Sequence, residues 1–168
     1  VLLISHIDAD GLTSAGIASA ALDRAGVGHE TCFSKQLDDE DLEEIEESGH
    51  DVVLFTDFGS GILDEVVERG FTPVVADHHQ PSQDGDCDHH LNPLLFDIDG
   101  SSELSGAGTA YVLARALEGD GADNRDLAAL AVVGAVGDMQ NQGGGLSGAN
   151  RAVVREGVDA GVLEAKQD

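Results

Sequence analysis

The chain has 168 residues with 41% hydrophobic side chains, enough for one domain with its own core, and no apolar run reaches the roughly 18 residues of a membrane-spanning helix. Its 8 basic and 33 acidic residues give a net charge of −25, which argues against a nucleic-acid partner at ordinary salt. Because molar salt screens such repulsion, we expect a halophilic archaeon as the source and expect the overall charge to say little about the substrate.

Strand-like apolar segments alternate with helical patterns through the first half of the chain. The strands are continuously apolar rather than alternating, which is typical of a parallel sheet covered by helices on both faces. The sequence therefore predicts an α/β fold. In chain order we predict a strand over 1–4, a helix over 13–25, a weak strand over 30–33, a helix over 39–47, a strand over 52–55, a helix over 62–69 and a strand over 73–76.

The second half is predicted to be a long loop followed by a helical part. Residues 80–102 are rich in Asp, Gly, Ser and Pro, with a short extended piece over 90–95. Helices are predicted over 106–117, 125–136 and 149–160. The middle one is almost uncharged, so we expect it to be buried all round and to deliver Asp138 into the interior or to a cleft.

Carboxylate and imidazole side chains follow three of the predicted strands and the apolar helix. In parallel sheets, ligands bind at the carboxyl ends of the strands. Divalent cations prefer carboxylate oxygen, Mn²⁺ also accepts imidazole nitrogen, and a pair of such ions can promote displacement at phosphorus. The pattern predicts a two-cation site for phosphoryl chemistry. The candidates are His6, Asp8 and Asp10, then Asp57, then His78 and His79 in a triplet with Asp77, and finally Asp138.

These segments resemble, in order, motifs I to IV of the DHH phosphoesterase superfamily. The resemblance extends over about residues 2–155, and motif I looks closer to RecJ than to the pyrophosphatase branch. A further segment resembles the helix between motifs III and IV of RecJ-like exonucleases. The segments are 6–16 (HIDADGLTSAG), 56–59 (TDFG), 77–81 (DHHQP) and 137–139 (GDM), with 105–110 (SGAGTA) and 113–117 (LARAL) for the helix.

The resemblance implies a role for each motif residue. His6, Asp8 and Asp57 would hold one divalent cation. We expect Mn²⁺ as this cation, with Mg²⁺ as the alternative. Asp57 would bridge to a second cation, and His79 would contact the substrate phosphate, so we assign catalytic roles to Asp57 and His79. The remaining ligands of the second cation would be Asp10, His78 and Asp138.

Two further pairs of residues are predicted to contact the substrate, but each pair also has a purely structural interpretation. Ser105 and Gly106 begin a predicted helix, whose N-terminus can bind a phosphate but can also be a simple cap with close packing. Arg151 and Arg155 form a local basic pair that could contact a nucleic-acid backbone or pair with Glu156 or Asp159 of the same helix.

A second triplet, Asp88-His89-His90, lies beside Cys87 and is the alternative metal motif or a separate zinc site. It follows a polar loop rather than an apolar strand. We therefore expect the triplet that begins at Asp77 to be the metal motif.

The function that the resemblance implies is a RecJ-like exonuclease acting on single-stranded DNA or RNA, with replication or repair proteins as possible partners and no membrane partner. One alternative is a phosphoesterase for oligoribonucleotides or cyclic dinucleotides. Another, of a different class, is a catalytically silent replication scaffold like the helicase-associated members of the superfamily. The motif acids argue against the scaffold, since a silent protein has no need to hold carboxylates together against their repulsion.

We expect residues 1–168 to be an excised catalytic domain of a longer protein. The chain begins directly in a strand without Met, and the substrate-binding second domain of the family, with its Gly-Gly-Gly-His signature, is absent. Gly143 to Gly145 are followed by Leu146 instead. The two cysteines, Cys32 and Cys87, lie far apart without a secretory segment, so we expect free thiols in the cytoplasm.

Overall fold

A five-stranded parallel sheet forms the centre of the protein in the computed structural model, which describes residues 1–83 and 85–166. The strand order is β2-β1-β3-β4-β5, and every neighbouring pair is parallel. This confirms the predicted parallel sheet. The strands are β1 (Leu2–His6), β2 (Glu30–Ser34), β3 (Val52–Thr56), β4 (Thr72–Ala76) and β5 (His90–Leu91).

Helices cover both faces of the sheet, as predicted. Short 3₁₀ turns at Ser60–Ile62, Pro93–Phe96 and Arg125–Leu127 lie in the connections between the longer elements. The α-helices are α1 (Ala9–Arg24), α2 (Asp39–Glu47), α3 (Leu63–Val67), α4 (Gly106–Ala116), α5 (Ala128–Gly137) and α6 (Gly148–Asp159).

Alternate residues of the strands face different helices. Leu3 and Leu54 pack with α1 on one face, whereas Ile4, Phe55 and Val75 pack with α2 and α3 on the other. Burying each such side chain contributes about 1.5–3 kcal/mol. A third cluster joins α1, α4, α5 and α6. Leu113 of α4 also packs on the sheet face that α1 covers, so α4 lies beside α1 on the sheet.

The expectation that the apolar helix is buried all round is wrong. In α5, Leu130, Val133 and Val136 are 37%, 54% and 46% exposed. The helix packs its small residues, such as Ala131 and Gly134, against α1 and α4, and a close helix pair covers only one side of each helix. Within the described part of the chain, none of the helices has the length and hydropathy that a membrane crossing needs.

Two other elements differ from the predictions. The first helix begins at Ala9 rather than residue 13, which places Asp10 in its first turn instead of in a loop. The extended piece predicted over 90–95 is a two-residue edge strand, β5, followed by a 3₁₀ turn.

Hydroxyl groups tie the ends of β1 and β3 together at the edge of the sheet where the strands end. The single O–H of Ser5 is shared between the carbonyl oxygens of Gly11 and Thr56, which lie 2.7 and 3.0 Å from Oγ, and Ser5 Oγ accepts a bond from Thr56 Oγ1 at 2.8 Å. All of these groups are buried. They fix the chain immediately before the candidate residues that follow each strand.

Candidate metal centre

The turn after β1 places two carboxylates differently. Asp8 is the N-cap of α1 and accepts a bond from the Gly11 amide at 2.9 Å. Its side chain is about half exposed to solvent. Asp10 is buried and accepts bonds from the amides of Gly106 and Ala107, at 2.7 and 2.9 Å. Burial raises the pKa of Asp10, although these two amides favour its charged form.

The start of α4 is therefore occupied by a side chain of the protein. A helix N-terminus stabilises negative charge, and here that charge is the carboxylate of Asp10. Ser105 is buried and caps the helix by accepting a bond from the Gly108 amide at 3.2 Å. Phosphate binding by Ser105 and Gly106 stays a prediction, and in the structure these groups have partners within the protein.

The first group of possible ligands consists of His6, Asp8 and Asp57. His6 Nδ1 lies 2.9 Å from Asp8 Oδ2 and 3.8 Å from Asp57 Oδ2. One possible ligand atom from each residue lies within 4.8 Å of the other two, so a divalent ion could bind between them.

The second group consists of Asp10, His78 and Asp138. His78 Nε2 lies 3.6 Å from Asp10 Oδ2, and His78 Nδ1 lies 3.9 Å from Asp138 Oδ2. His78 Nε2 also lies 3.2 Å from Asp57 Oδ1. Because the other oxygen of Asp57 faces His6, this carboxylate stands between the two groups.

The environment of Asp57 fits a cation. The residue is 2% exposed, adopts the left-handed backbone conformation with φ of 62°, and its Oδ1 accepts no well-aligned hydrogen bond from the described residues, His78 included. Burial and the nearby carboxylate of Asp10 raise the pKa of Asp57 to about 8. A buried carboxylate oxygen without a donor is costly, and a divalent ion supplies the missing positive charge.

His78 is held by a network of buried amide groups that the sequence analysis missed. Its Nδ1 lies 2.6 Å from the carbonyl oxygen of Gly100, which leaves Nε2 facing the carboxylates. Gln140 Nε2 donates to the same carbonyl and to Asp138 Oδ2, both at 2.8 Å. Asn150 in turn donates to Gln140 Oε1 at 2.6 Å. Such partners orient metal-binding side chains, but their sequence neighbourhoods carry no distinctive signal.

Although burial disfavours charge on His78, the neighbouring carboxylate of Asp57 and the Gly100 carbonyl raise the pKa of this imidazole to about 9. In the absence of a cation, the imidazolium thus compensates part of the carboxylate charge. Binding a metal ion through Nε2 requires this proton to leave.

His79 is oriented by Asp77. Its Nδ1 lies 2.8 Å from Asp77 Oδ1, and the ring is 57% exposed, so Nε2 is free to face a ligand. Asp77 also accepts bonds from the amides of Ser60, His78 and His79. Although burial alone would raise it, the pKa of Asp77 is lowered to about 2 by the bond from His79 and by these amides. The same bond to Asp77 raises the pKa of His79.

Two glycines permit the close approach of the helices to the carboxylates. A Cβ on Gly106 would collide with Asp57 Oδ1, and one on Gly134 would lie 2.5 Å from Asp10 Oδ1. Close packing at Gly106 was one of the two interpretations of that helix start, whereas Gly134 was not predicted to have a role. Only the packing of α4 and α5 on α1 shows why these positions need glycine.

Arg151 and Arg155 lie on the same helix as Asn150, the residue that bonds Gln140. Both are exposed on α6, and neither forms an ion pair with a described residue. Their expected alternative partner Glu156 is bonded by Arg115 and Tyr111 instead. A substrate contact of the two arginines stays a prediction.

The alternative metal triplet is spread over unrelated contacts. His90 Nε2 lies 2.9 Å from Ser60 Oγ, and Cys87 Sγ lies 3.7 Å from the carbonyl oxygen of Pro73. Among residues 1–83 and 85–166, no group of three possible metal ligands includes a member of the stretch 87–90. The residues that converge are the ones chosen from the other triplet.

Comparisons with known proteins agree with these motifs. The model of the family described as DHH family, N-terminal domain, matches residues 1–135. An uncharacterized protein of Methanocaldococcus jannaschii is 33% identical over 163 residues, which cover 93% of this chain and 36% of the relative.

Solved structures give the same result. A crystal structure of exonuclease RecJ bound to manganese has a TM-score of 0.75 and 29% identity, covering 94% of this chain and 42% of that one. RecJ from Thermus thermophilus in complex with Mn²⁺ has a TM-score of 0.72 and 29% identity, covering 94% and 24%. CDC45 from Entamoeba histolytica shares the fold, with a TM-score of 0.55, 14% identity and coverage of 97% and 34%.

The chain thus spans less than half the length of each of these relatives. The family match, by contrast, extends over most of the chain and contains every candidate ligand except Asp138. Since these ligands also converge at one edge of the sheet, the chain belongs to the DHH family.

Proposed function

We propose that this chain is the catalytic domain of a metal-dependent phosphodiesterase, a RecJ-like exonuclease that hydrolyses single-stranded DNA or RNA. The observation that carries the proposal is the position of Asp57 between His6 and His78, which belong to different groups among the three groups of possible ligands that the described residues form. The similarity to RecJ exonuclease supports the reaction class. A place in repair or replication in the cytoplasm of a halophilic archaeon, with protein partners there, rests on the resemblance, the cysteines and the charge.

The cofactors that the donor set fits are two divalent cations, Mn²⁺ first and Mg²⁺ second. His6, Asp8 and Asp57 would hold one, and Asp57 would share the other with the second group, made up of Asp10, His78 and Asp138. When bound, such a pair lowers the pKa of a water molecule and neutralises charge that develops at the phosphoryl group.

The residues of the protein have separate tasks in this reaction. Asp77 holds the proton on His79 Nδ1, and the raised pKa of His79 favours the doubly protonated ring. The free Nε2–H then donates to a non-bridging phosphate oxygen, where negative charge accumulates in the transition state. Gln140 and the Gly100 carbonyl hold His78 and Asp138 in the same positions during the reaction.

The test combines Mn²⁺ binding by calorimetry with hydrolysis of 5′-labelled single-stranded DNA and RNA, both in molar KCl. We expect two bound ions per chain. The labelled strand should shorten stepwise if digestion starts at its 3′ end, or release a short labelled product if digestion starts at its 5′ end. Asp57→Ala should abolish both metal binding and hydrolysis. Asp51→Asn is a matched control, because Asp51 precedes the same strand at the opposite edge of the sheet. Unchanged turnover in Asp57→Ala would refute the proposal.

Two alternatives predict other results in the same assay. A phosphoesterase for oligoribonucleotides or cyclic dinucleotides would cleave a dinucleotide and leave longer strands intact. A replication scaffold would bind no metal ion. The fold shared with CDC45, at 14% identity, adds no support for the scaffold beyond the fold itself.

A further inference from the structure

Two cavities lie beside the candidate metal centre, and they differ in character. The first, of about 290 Å³, extends from His6, Asp57 and His79 to Lys35 and Phe58. The second, of about 760 Å³, is lined by three carboxylates that the first cavity lacks, those of Asp97, Asp99 and Asp138. Asp97 and Asp99 belong to no group of possible metal ligands among the described residues, so their charge repels a phosphodiester backbone. The smaller cavity is therefore the more favourable place for a substrate that carries phosphate groups.

Lys35 brings a positive charge to this cavity. Four of the eight basic residues, Arg24, Arg69, Arg115 and Arg125, form ion pairs with carboxylates. Lys35 forms none with the described residues, in a chain that has 33 acidic side chains to offer. It follows β2, the neighbour of β1, and so lies about one strand spacing, ~4.8 Å, from the end that carries His6. An ammonium group near the metal centre suits a second phosphate.

Phe58 supplies an aromatic wall to the cavity that Lys35 lines. It directly follows Asp57, is partly exposed, and its ring centre lies 6.2 Å from that of His6. Leu37 and Ile62 extend the apolar lining, and both belong with Phe58 to the rim of the core beneath. The cavity is at the lower end of the ~300–1,000 Å³ typical of ligand pockets, which matches one nucleoside rather than several.

We propose that this cavity is a nucleoside subsite, in which Phe58 stacks on the base of the nucleotide joined to the reacting phosphate and Lys35 binds the next phosphate of the strand. The inference rests on the proposed function and adds the part of the substrate that this domain recognises. Stacking on an aromatic ring accepts every base, so we expect affinity with little base preference.

The experiment is a calorimetric titration of the full chain with Mn²⁺ present, at one fixed KCl concentration, with three probes. Inorganic phosphate reports on the metal centre, thymidine 5′-monophosphate adds the nucleoside, and thymidine 3′,5′-bisphosphate adds the second phosphate. We expect each addition to strengthen binding, by about tenfold for the nucleoside. Phe58→Leu should lose the nucleoside gain, and Lys35→Gln should lose only the bisphosphate gain.

The controls separate these effects from general damage. Phe96→Leu changes a phenylalanine that is 63% exposed and lines neither cavity, and Lys166→Gln removes a positive charge near the end of the chain. Both should bind all three probes like the unmodified chain. Lys35→Arg should restore the bisphosphate gain.

Each failure has a distinct meaning. If inorganic phosphate binds but the monophosphate binds no more tightly, or if Phe58→Leu leaves the nucleoside gain intact, the subsite is refuted while the proposed function stands. If Lys35→Gln weakens all three probes equally, Lys35 does not read the second phosphate, and that part of the inference is refuted. If inorganic phosphate does not bind with Mn²⁺, the proposed function fails, and the subsite fails with it.

Discussion

Replacing Asp57 with Asn tests the metal centre through protein stability, without any need for turnover. The carboxylate is 2% exposed and its Oδ1 lacks a well-aligned hydrogen-bond donor, so the metal-free fold must tolerate an unfavourable group. Asn has nearly the same shape and, like Asp, tolerates the left-handed backbone conformation found at φ of 62°. The substitution therefore removes the carboxylate while keeping the turn.

The magnitude follows from the pKa of Asp57, which burial raises from its ordinary value of 3.8 to about 8. Between these values the folded state holds a proton that the unfolded chain has released, so stability falls as pH rises through that window. At pH 7 the cost is at most about 4 kcal/mol. Removing the carboxylate removes this cost. Burying an Asn amide without hydrogen-bond partners costs about 1–3 kcal/mol, which offsets part of the stability gained. The substitution also takes from His78 the carboxylate that raises its pKa, which reduces the gain further. We expect metal-free Asp57→Asn to be more stable than the unmodified chain by at most about 3 kcal/mol at pH 7.

Divalent ions should act against this difference in stability between Asp57→Asn and the unmodified chain. At one hundred times its dissociation constant, a ligand that binds only the folded state adds about 2.7 kcal/mol. Mn²⁺ should therefore stabilise the unmodified chain and leave Asp57→Asn nearly unchanged. The assay is urea unfolding in molar KCl at pH 5 and pH 7, with and without Mn²⁺. If Mn²⁺ raises the urea midpoint of Asp57→Asn as much as that of the unmodified chain, Asp57 is not a ligand and the reasoning is wrong.

Three further predictions concern the surroundings of the site. In Gly134→Ala, the new Cβ would lie 2.5 Å from Asp10 Oδ1, so we expect about 1–3 kcal/mol of destabilisation and weaker Mn²⁺ binding; Gly143→Ala, with no atom within 4 Å of its Cβ, should change neither. In Asp77→Asn, His79 loses the partner that raises its pKa, so the alkaline limb of the kcat/KM profile for single-stranded DNA should move to lower pH, and an unmoved limb would show that protonated His79 is not required. With a net charge of −25, the thermal unfolding midpoint should rise as KCl is raised to molar concentration; a midpoint independent of KCl would contradict the expected halophilic adaptation.

Local patterns in the sequence were sufficient to predict the parallel sheet and to select candidate ligands at its edge. The apolar segments that become β1, β3 and β4 are continuous; His6 is the last residue of β1, and Asp57 and Asp77 directly follow β3 and β4. Parallel strands bring such residues to one edge by geometry alone, so their convergence could be predicted. The order of the motifs and the resemblance to a family then added the chemistry.

Helix boundaries and exposure were less predictable. The apolar character of α5 indicated complete burial, but that character does not say how many sides have a neighbour, and Val133 is 54% exposed. Likewise, the N-terminus of α4 could hold any anion. That Asp10 occupies it depends on the packing of α4 against α1.

The sequence by itself determined the parallel α/β fold, the positions of the metal-ligand candidates and the excess of negative charge, because these follow from local periodicity, strand direction and composition. Only the tertiary structure decided that Asp57 stands between the two ligand groups, that Gln140 and Asn150 hold His78 and Asp138, and that Lys35 and Phe58 share a cavity with His79. These relations join residues far apart in the chain. Their distances are fixed by how the helices pack on the sheet, a property of the whole fold that no local pattern contains.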